Sequence, residues 1–331
     1  MIISKTPYRI SFFGGGTDFP VWYREHGGSV LSTTIDKYCY ISCRNLPPFF
    51  EHKHRIVYSL IEDVKSISDI KHPAVRGIFE WLGIESGLEI HHDGDLPARS
   101  GLGSSSSFTV GLLNALRAHQ HGRYSKQKLA EDAIHIEQNV IGEVVGSQDQ
   151  VAAAYGGFNH IRFGKEPEFE VHPIVTAPET LNILDRHMML FFTGIQRFAS
   201  TIEQEKISRI NHNTAQLDRL SHMVGDGLEV LHSSNFIVED FGFILHESWQ
   251  IKRELSTNVS NDLIDEAYQN ALDCGAIGGK ILGAGGGGFM LIFAPPEKQP
   301  QIIERLSSFV HVPFRFEKGG ATIAMYQPAG L

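Results

Sequence analysis

The chain has 331 residues, 38 acidic against 29 basic, for a formal net charge of −9. Without a basic tract, that balance disfavours nucleic acid as a partner but leaves room for a basic pocket around an anionic small molecule. Cys39, Cys43 and Cys274 lack metal-ligand spacing and suit a reducing compartment, and no apolar run approaches the ~20 residues of a membrane span. Met1 to Tyr8 shows no cleavable secretion pattern, so the expectation is a soluble cytoplasmic protein of two domains.

In chain order, Ile2 to Phe13 reads as a strand interrupted at Pro7, running into Gly14, Gly15, Gly16, Thr17 and Asp18. Three glycines before Thr-Asp imply a tight loop whose backbone can touch something. Val30 to Cys43 and Arg55 to Leu60 are β-rich, Pro73 to Leu82 is helical in pattern, and Leu88 to His92 alternates as a half-buried strand. Phe108 to His121 and Ser125 to Ile141 carry helical apolar spacing, the second capped by Ser125. A short helix over Gln150 to Ala154 and a strand over Gly157 to Phe163 follow. Loosened composition around Pro173 to Pro178 predicts a boundary between domains 1–175 and 176–331.

Beyond it, Met188 to Thr193 predicts a strand. Helices are expected over Ala199 to His232, Val238 to Leu255 and Asn261 to Cys274. Gly278 to Phe293 predicts two strands joined at a glycine bend, Pro300 to Phe309 a helix and Ala321 to Tyr326 a last strand. Strands and helices mix without regular alternation, which predicts an α+β fold.

The stretch Leu96 to Ser107 joins a strand to a helix through a glycine-serine turn. Exposed amides at a helix start form an anion site, glycines allow close backbone approach, and serines add hydroxyl donors. A serine-capped helix after a flexible turn accounts for the same residues. A P-loop would need Lys-Ser or Lys-Thr after Gly103, and a dinucleotide fingerprint would need glycine at Ser106; neither is present.

Three glycine-rich segments stand in fixed order: Pro7 to Asp18, Pro97 to Ser107, and Lys280 to Phe289. The set resembles the three signature motifs of the GHMP kinases. The opening Phe13 to Pro20 looks most like the branch acting on D-glycero-D-manno-heptose 7-phosphate at its anomeric hydroxyl. The resemblance implies a two-domain fold, an N-terminal ribosomal-protein-like domain and a C-terminal ferredoxin-like domain. It also implies ATP and Mg2+ as cofactors and a sugar phosphate as substrate. ATP would be held by Pro97, Arg99, Ser100, Gly101, Leu102, Gly103, Ser104, Ser105 and Ser106. Magnesium would be held by Ser105 and Glu137. Asp149 and Arg9 would be catalytic, and Gly14, Gly15, Gly16, Thr17, Asp18, Gly285 and Gly286 would meet the sugar.

The family often has glycine where Tyr8 and Arg99 stand; Arg99 would meet nucleotide phosphate or substrate phosphate. Phosphoryl transfer needs positioning and charge neutralisation, which an acid facing the acceptor hydroxyl and a permanently charged arginine supply. Each residue also has an ordinary role open to it: Asp149 as a helix N-cap, Glu137 on a solvated helix face, Thr17 and Asp18 in an Asx-type turn. His91, His92, Asp93 and Asp95 fit a polar turn better than a metal site. A kinase for fucose or a hexose, and a silent binding protein on the same fold, are the rival functions. A homodimer is left open.

Overall fold

The computed structural model of the chain describes residues 1–195, 199–210 and 212–328. Its first layer is a nine-stranded sheet built on two long strands, Ile2–Phe13 and Gly28–Asn45, paired antiparallel from Ile2 opposite Cys43 to Phe13 opposite Leu31. Pro7 does not interrupt the first strand. It falls beside a register shift between Pro7 and Arg9, where a missing N–H leaves no gap in the ladder. Leu88–Gly94 pairs with one half of Gly28–Asn45 and Phe158–Phe163 with the other.

Three helices pack where they position the site. Ser104–His119 lies against the two long strands, its face from Ser106 to Ala118 almost wholly buried. Lys126–His135 starts at Ser125, whose side chain accepts from the Lys128 amide, and continues through one wide turn, Ile136–Val140. Gln148–Tyr155 follows, longer than the sequence pattern predicts.

The second sheet has the spatial order Val310–His311, Met188–Phe192, Phe289–Phe293, Gly278–Ile281, every pair antiparallel. In chain order that is 4-1-3-2, the ferredoxin-like arrangement, with Val238–Glu254 packed against Gly278–Ile281. The last two strands return to the first sheet: Phe316–Glu317 pairs with Gly28–Asn45 and Thr322–Tyr326 with Ile2–Phe13. The expected division at residue 175 is therefore not a clean cut, because part of 176–331 completes the first layer.

Smaller differences have local causes. The helices Pro20–His26 and Pro178–His187 were not expected; each opens on a proline at its first turn, where the absent N–H costs nothing. The expected helix over Ala199 to His232 is two, Ala199–Ser208 and Thr214–His232. Among the described residues no helix is long and apolar enough to cross a membrane.

Candidate active site

Where the glycine-serine turn meets its helix, Gly103 takes a left-handed φ of 73° and the helix begins at Ser104. Arg9, on the strand beneath, donates its backbone N–H to the Leu102 carbonyl at 3.1 Å. Its guanidinium is almost fully buried. Nε and Nη2 donate to the two carboxylate oxygens of Asp149, both at 2.7 Å, and Nη1 donates to the Gly101 carbonyl at 2.7 Å. A bidentate pair of this kind fixes the carboxylate's plane as well as its position. Asp149 lies in the first turn of Gln148–Tyr155 and does not cap it; Ser147 precedes the helix and no side-chain cap bond forms. The N-cap alternative is thus set aside. Its carboxylate stays partly exposed, 23% against 3% for Arg9, so it can meet a ligand.

Behind the helix start, Glu137 is buried on the wide turn Ile136–Val140. Ser106 Oγ donates to its Oε2 at 3.0 Å, and the Gln150 side-chain amide donates to the same oxygen. It is Ser106, not Ser105, that hydrogen-bonds Glu137 directly. Ser105 faces outward, while Ser106 lies one turn before Val110 on the buried helix face. Burial pushes the Glu137 carboxyl up to about 7, with the Thr109 hydroxyl, Gln150 and Ser106 pulling the other way and the nearby Glu143 adding to the rise. Its second oxygen, Oε1, has no aligned hydrogen-bond donor. Serine hydroxyls beside a buried carboxylate are the hard oxygen donors magnesium takes, so the residues present fit that ion. No group of three His, Cys, Asp or Glu side chains arranged for a metal occurs among the described residues. His91 instead pairs with Glu89 at 2.8 Å, and His92 packs edge-on against Phe108.

The first glycine loop divides by role. Asp18 is buried, accepting from the Gly16 amide at 2.9 Å and the Gln148 amide at 3.3 Å, and burial raises its carboxyl above the usual range. Gly15, Gly16 and Asp18 line the cavity. Thr17 does not: its fully buried hydroxyl donates to the carbonyls of Gly14 and Ser29. Gly14 lies hard against the Ser29 carbonyl and also stays out of the lining.

The last glycine loop lies on the second. A Cβ on Gly283 would fall 2.5 Å from the Gly101 Cα, and one on Gly288 2.4 Å from the Ser100 carbonyl oxygen. Phe289 donates its N–H to that same carbonyl at 3.0 Å. Gly285 reaches the cavity, whereas Gly286 bonds to Val259 behind it. Two lysines that sequence reasoning missed complete the wall, Lys252 and Lys280, both buried.

The enclosed space is about 520 Å³. It brings together Arg9, Asp149, Arg99, Gly101, Gly103, Ser104, Ser105, Ser106, Gly15, Gly16, Asp18 and Gly285. Pro97 is exposed outside it, Ser100 and Leu102 are buried under the loop, and Tyr8 is buried in the core. The expected contacts of Pro97, Ser100 and Leu102 with the nucleotide are corrected: none of the three lines the cavity. Arg99 holds a left-handed φ of 58° at the rim and donates its N–H to Ser104 Oγ at 3.0 Å.

An open helix start beside a carboxylate clamped by arginine, with a second domain's glycine loop lying on the serine loop, makes a cavity suited to phosphoryl transfer to a small molecule. Family models agree with that chemistry. The GHMP kinases N terminal domain matches residues 69–157, and the GHMP kinases C terminal domain matches residues 237–312. The chain is 31% identical over 317 residues to D-glycero-alpha-D-manno-heptose 7-phosphate kinase of Campylobacter jejuni, covering 92% of this chain and 93% of that protein. The crystal structure of a D-glycero-D-manno-heptose 1-phosphate kinase from Bacteriodes thetaiotaomicron superposes with a TM-score of 0.78 at 25% identity, covering 97% of this chain and 98% of that one. A bifunctional fucokinase/GDP-fucose pyrophosphorylase of Arabidopsis thaliana is 27% identical over 330 residues, covering 91% of this chain and 31% of that longer protein. The chain belongs to the GHMP kinases, and it is a phosphotransferase of the sugar kinase kind.

Proposed function

We propose that the chain is an ATP- and magnesium-dependent cytoplasmic kinase. It would move the γ-phosphoryl group of ATP to the anomeric hydroxyl of D-glycero-D-manno-heptose 7-phosphate, giving the 1,7-bisphosphate. The observation that carries this is the Asp149 carboxylate, held bidentate by Arg9 within the cavity that the Ser104 helix start also faces. Similarity to the Campylobacter heptose 7-phosphate kinase supports the choice of acceptor.

Asp149 accepts the proton of the attacking hydroxyl, which a carboxylate within hydrogen-bond reach of the acceptor can do. Arg9 keeps its oxygens turned into the cavity and offers fixed positive charge where negative charge gathers during transfer. The helix start at Ser104 and the exposed Ser105 hydroxyl would meet the triphosphate, and the helix dipole favours it. Glu137 and Ser106, together with Ser105, would hold the magnesium, which neutralises triphosphate charge when bound. Gly15, Gly16, Asp18 and Gly285 surround the acceptor.

The test is ATP consumption against heptose 7-phosphate, heptose 1-phosphate, fucose and galactose, with the product's phosphorylated carbon read by 31P NMR. Turnover on the 7-phosphate, with new phosphate at the anomeric carbon, is expected. Preference for another sugar would move the substrate, and binding without turnover throughout would make the chain a silent binder. Asp149→Asn is expected to lower kcat by at least ~10²-fold while nucleotide affinity stays within about twofold.

A further inference from the structure

Asp149 and Gln150 are neighbours in the first turn of Gln148–Tyr155, and successive helix residues point about 100° apart. Asp149 turns to Arg9 and the cavity, whereas Gln150 turns inward and is fully buried. There its side-chain amide donates to Glu137 Oε2, the oxygen that Ser106 Oγ also reaches at 3.0 Å. The Thr109 hydroxyl and the Glu143 carboxylate act on Glu137 as well, the first favouring its charge and the second opposing it.

Two observations set the Gln150 contact apart from ordinary packing. Glu137 sits on the wide turn Ile136–Val140, where Ile141 donates its N–H to the Ile136 carbonyl and Glu143 to the Glu137 carbonyl, both at 2.8 Å. Such turns often fall at functional sites, and their irregular ladder leaves a side chain's direction to partners outside the turn. The second observation is the cost of the donor itself. Gln150 Oε1 has no hydrogen-bond partner among the described residues. A buried amide with one end unpaired weakens the fold, and an apolar residue of similar size would not carry that cost. The amide is therefore poorly explained by stability and well explained by what it does to Glu137.

We infer that Gln150 is a positioning residue for magnesium: it acts through Glu137, setting the direction of that carboxylate, without touching the ion. This rests on the kinase function proposed above, in which Glu137 holds magnesium, and adds to it a link between the two halves of the chemistry. One helix turn carries the acid at Asp149 and the group that orients the metal's carboxylate at Gln150, so the two are held in fixed relation. Groups that orient a metal ligand typically account for about 10- to 100-fold in metal affinity.

Metal binding tests it directly, so turnover is not needed. Mn2+ is titrated into the complex with a non-hydrolysable ATP analogue and followed by electron spin resonance. Wild type, Gln150→Met, Glu137→Gln and the double variant are compared, with melting curves to confirm folding. Gln150→Met is expected to weaken Mn2+ binding by at least ~10-fold, yet to change it by less than about twofold in the Glu137→Gln background. Unchanged Mn2+ affinity in Gln150→Met would make the amide a packing contact and overturn the inference. Equal loss in both backgrounds would show a general loosening of the helix, and also overturn it. If Gln150→Met does not fold, Gln150→Asn, whose amide falls short by one methylene, is scored in its place. Glu137→Gln binding Mn2+ as wild type does would instead take Glu137 out of the metal site, a failure of the proposed function that overturns this inference with it.

Discussion

Gly103 shows how little space separates the binding loop from the catalytic pair. A Cβ there would lie 3.2 Å from Arg9 Cγ and 3.3 Å from the nearer Asp149 carboxylate oxygen, on a backbone at φ 73°. Left-handed geometry costs an L-residue roughly 1–2 kcal/mol, so Gly103→Ala carries that strain and also presses on the pair. Its melting temperature should fall by several degrees and its kcat by at least ~10-fold; an unchanged kcat would mean the pair tolerates displacement. A second residue sets a pH limit. His72 stacks on Phe108 with ring centroids 4.7 Å apart, and burial pushes its imidazole down to about 4. In the unfolded chain the same group titrates near 6.5 and takes up its proton first. Its contribution to stability is therefore complete above about 6.5 and is lost as pH falls toward 4. Glu137 acts with the opposite sign, losing its contribution as pH rises from about 4.5 to 7. The difference in melting temperature between wild type and His72→Phe isolates the histidine: it should shift steadily in the variant's favour below pH 6.5 and be flat above it.

At the scale of elements, regular structure was legible wherever a local rule decides it. Pro73–Leu82 starts on proline, ends on a left-handed Gly83 and has the helical apolar spacing; sequence and structure agree on both bounds. Asn261 and Ser125 cap the helices they precede. The three glycine segments were visible because few other residues allow backbones to touch as those of Gly101 and Gly283 do. What escaped depends on packing. Ser105 and Ser106 are chemically identical neighbours, and only the phase of the helix sends one outward and the other to Glu137. That phase was available in principle, because Ser106, Val110 and Leu113 share one face. Lys252 was hidden for a similar reason, since a lysine among polar neighbours on an amphipathic helix ordinarily faces solvent. Its burial follows from the contact of that helix with Gly278–Ile281, which no local pattern announces.

The whole molecule is held by exchange between its halves. The second domain's glycine loop rests on the first domain's serine loop, Lys280 reaches the Phe12 carbonyl, and the last strands finish the first sheet. Phe316 contributes rings near Phe12 and Phe158, with centroids 6.3 and 6.0 Å away. Ending the chain after Pro313 removes those contacts, the buried Phe314 and both returning strands, a loss of at least ~3 kcal/mol by the usual cost of deleting buried aromatics. The shortened protein should melt markedly lower or aggregate through the uncovered edge of Ile2–Phe13, as chromatography and melting curves would report. A full-strength melt would show the tail to be an ornament.

That returning strand also orders events in time. During synthesis the ribosome makes Ile2–Phe13 first and its edge partner Thr322–Tyr326 more than three hundred residues later. The nascent chain must keep that edge from pairing with strangers for the whole interval between the two strands, and assembly of the intact sheet waits on the later one.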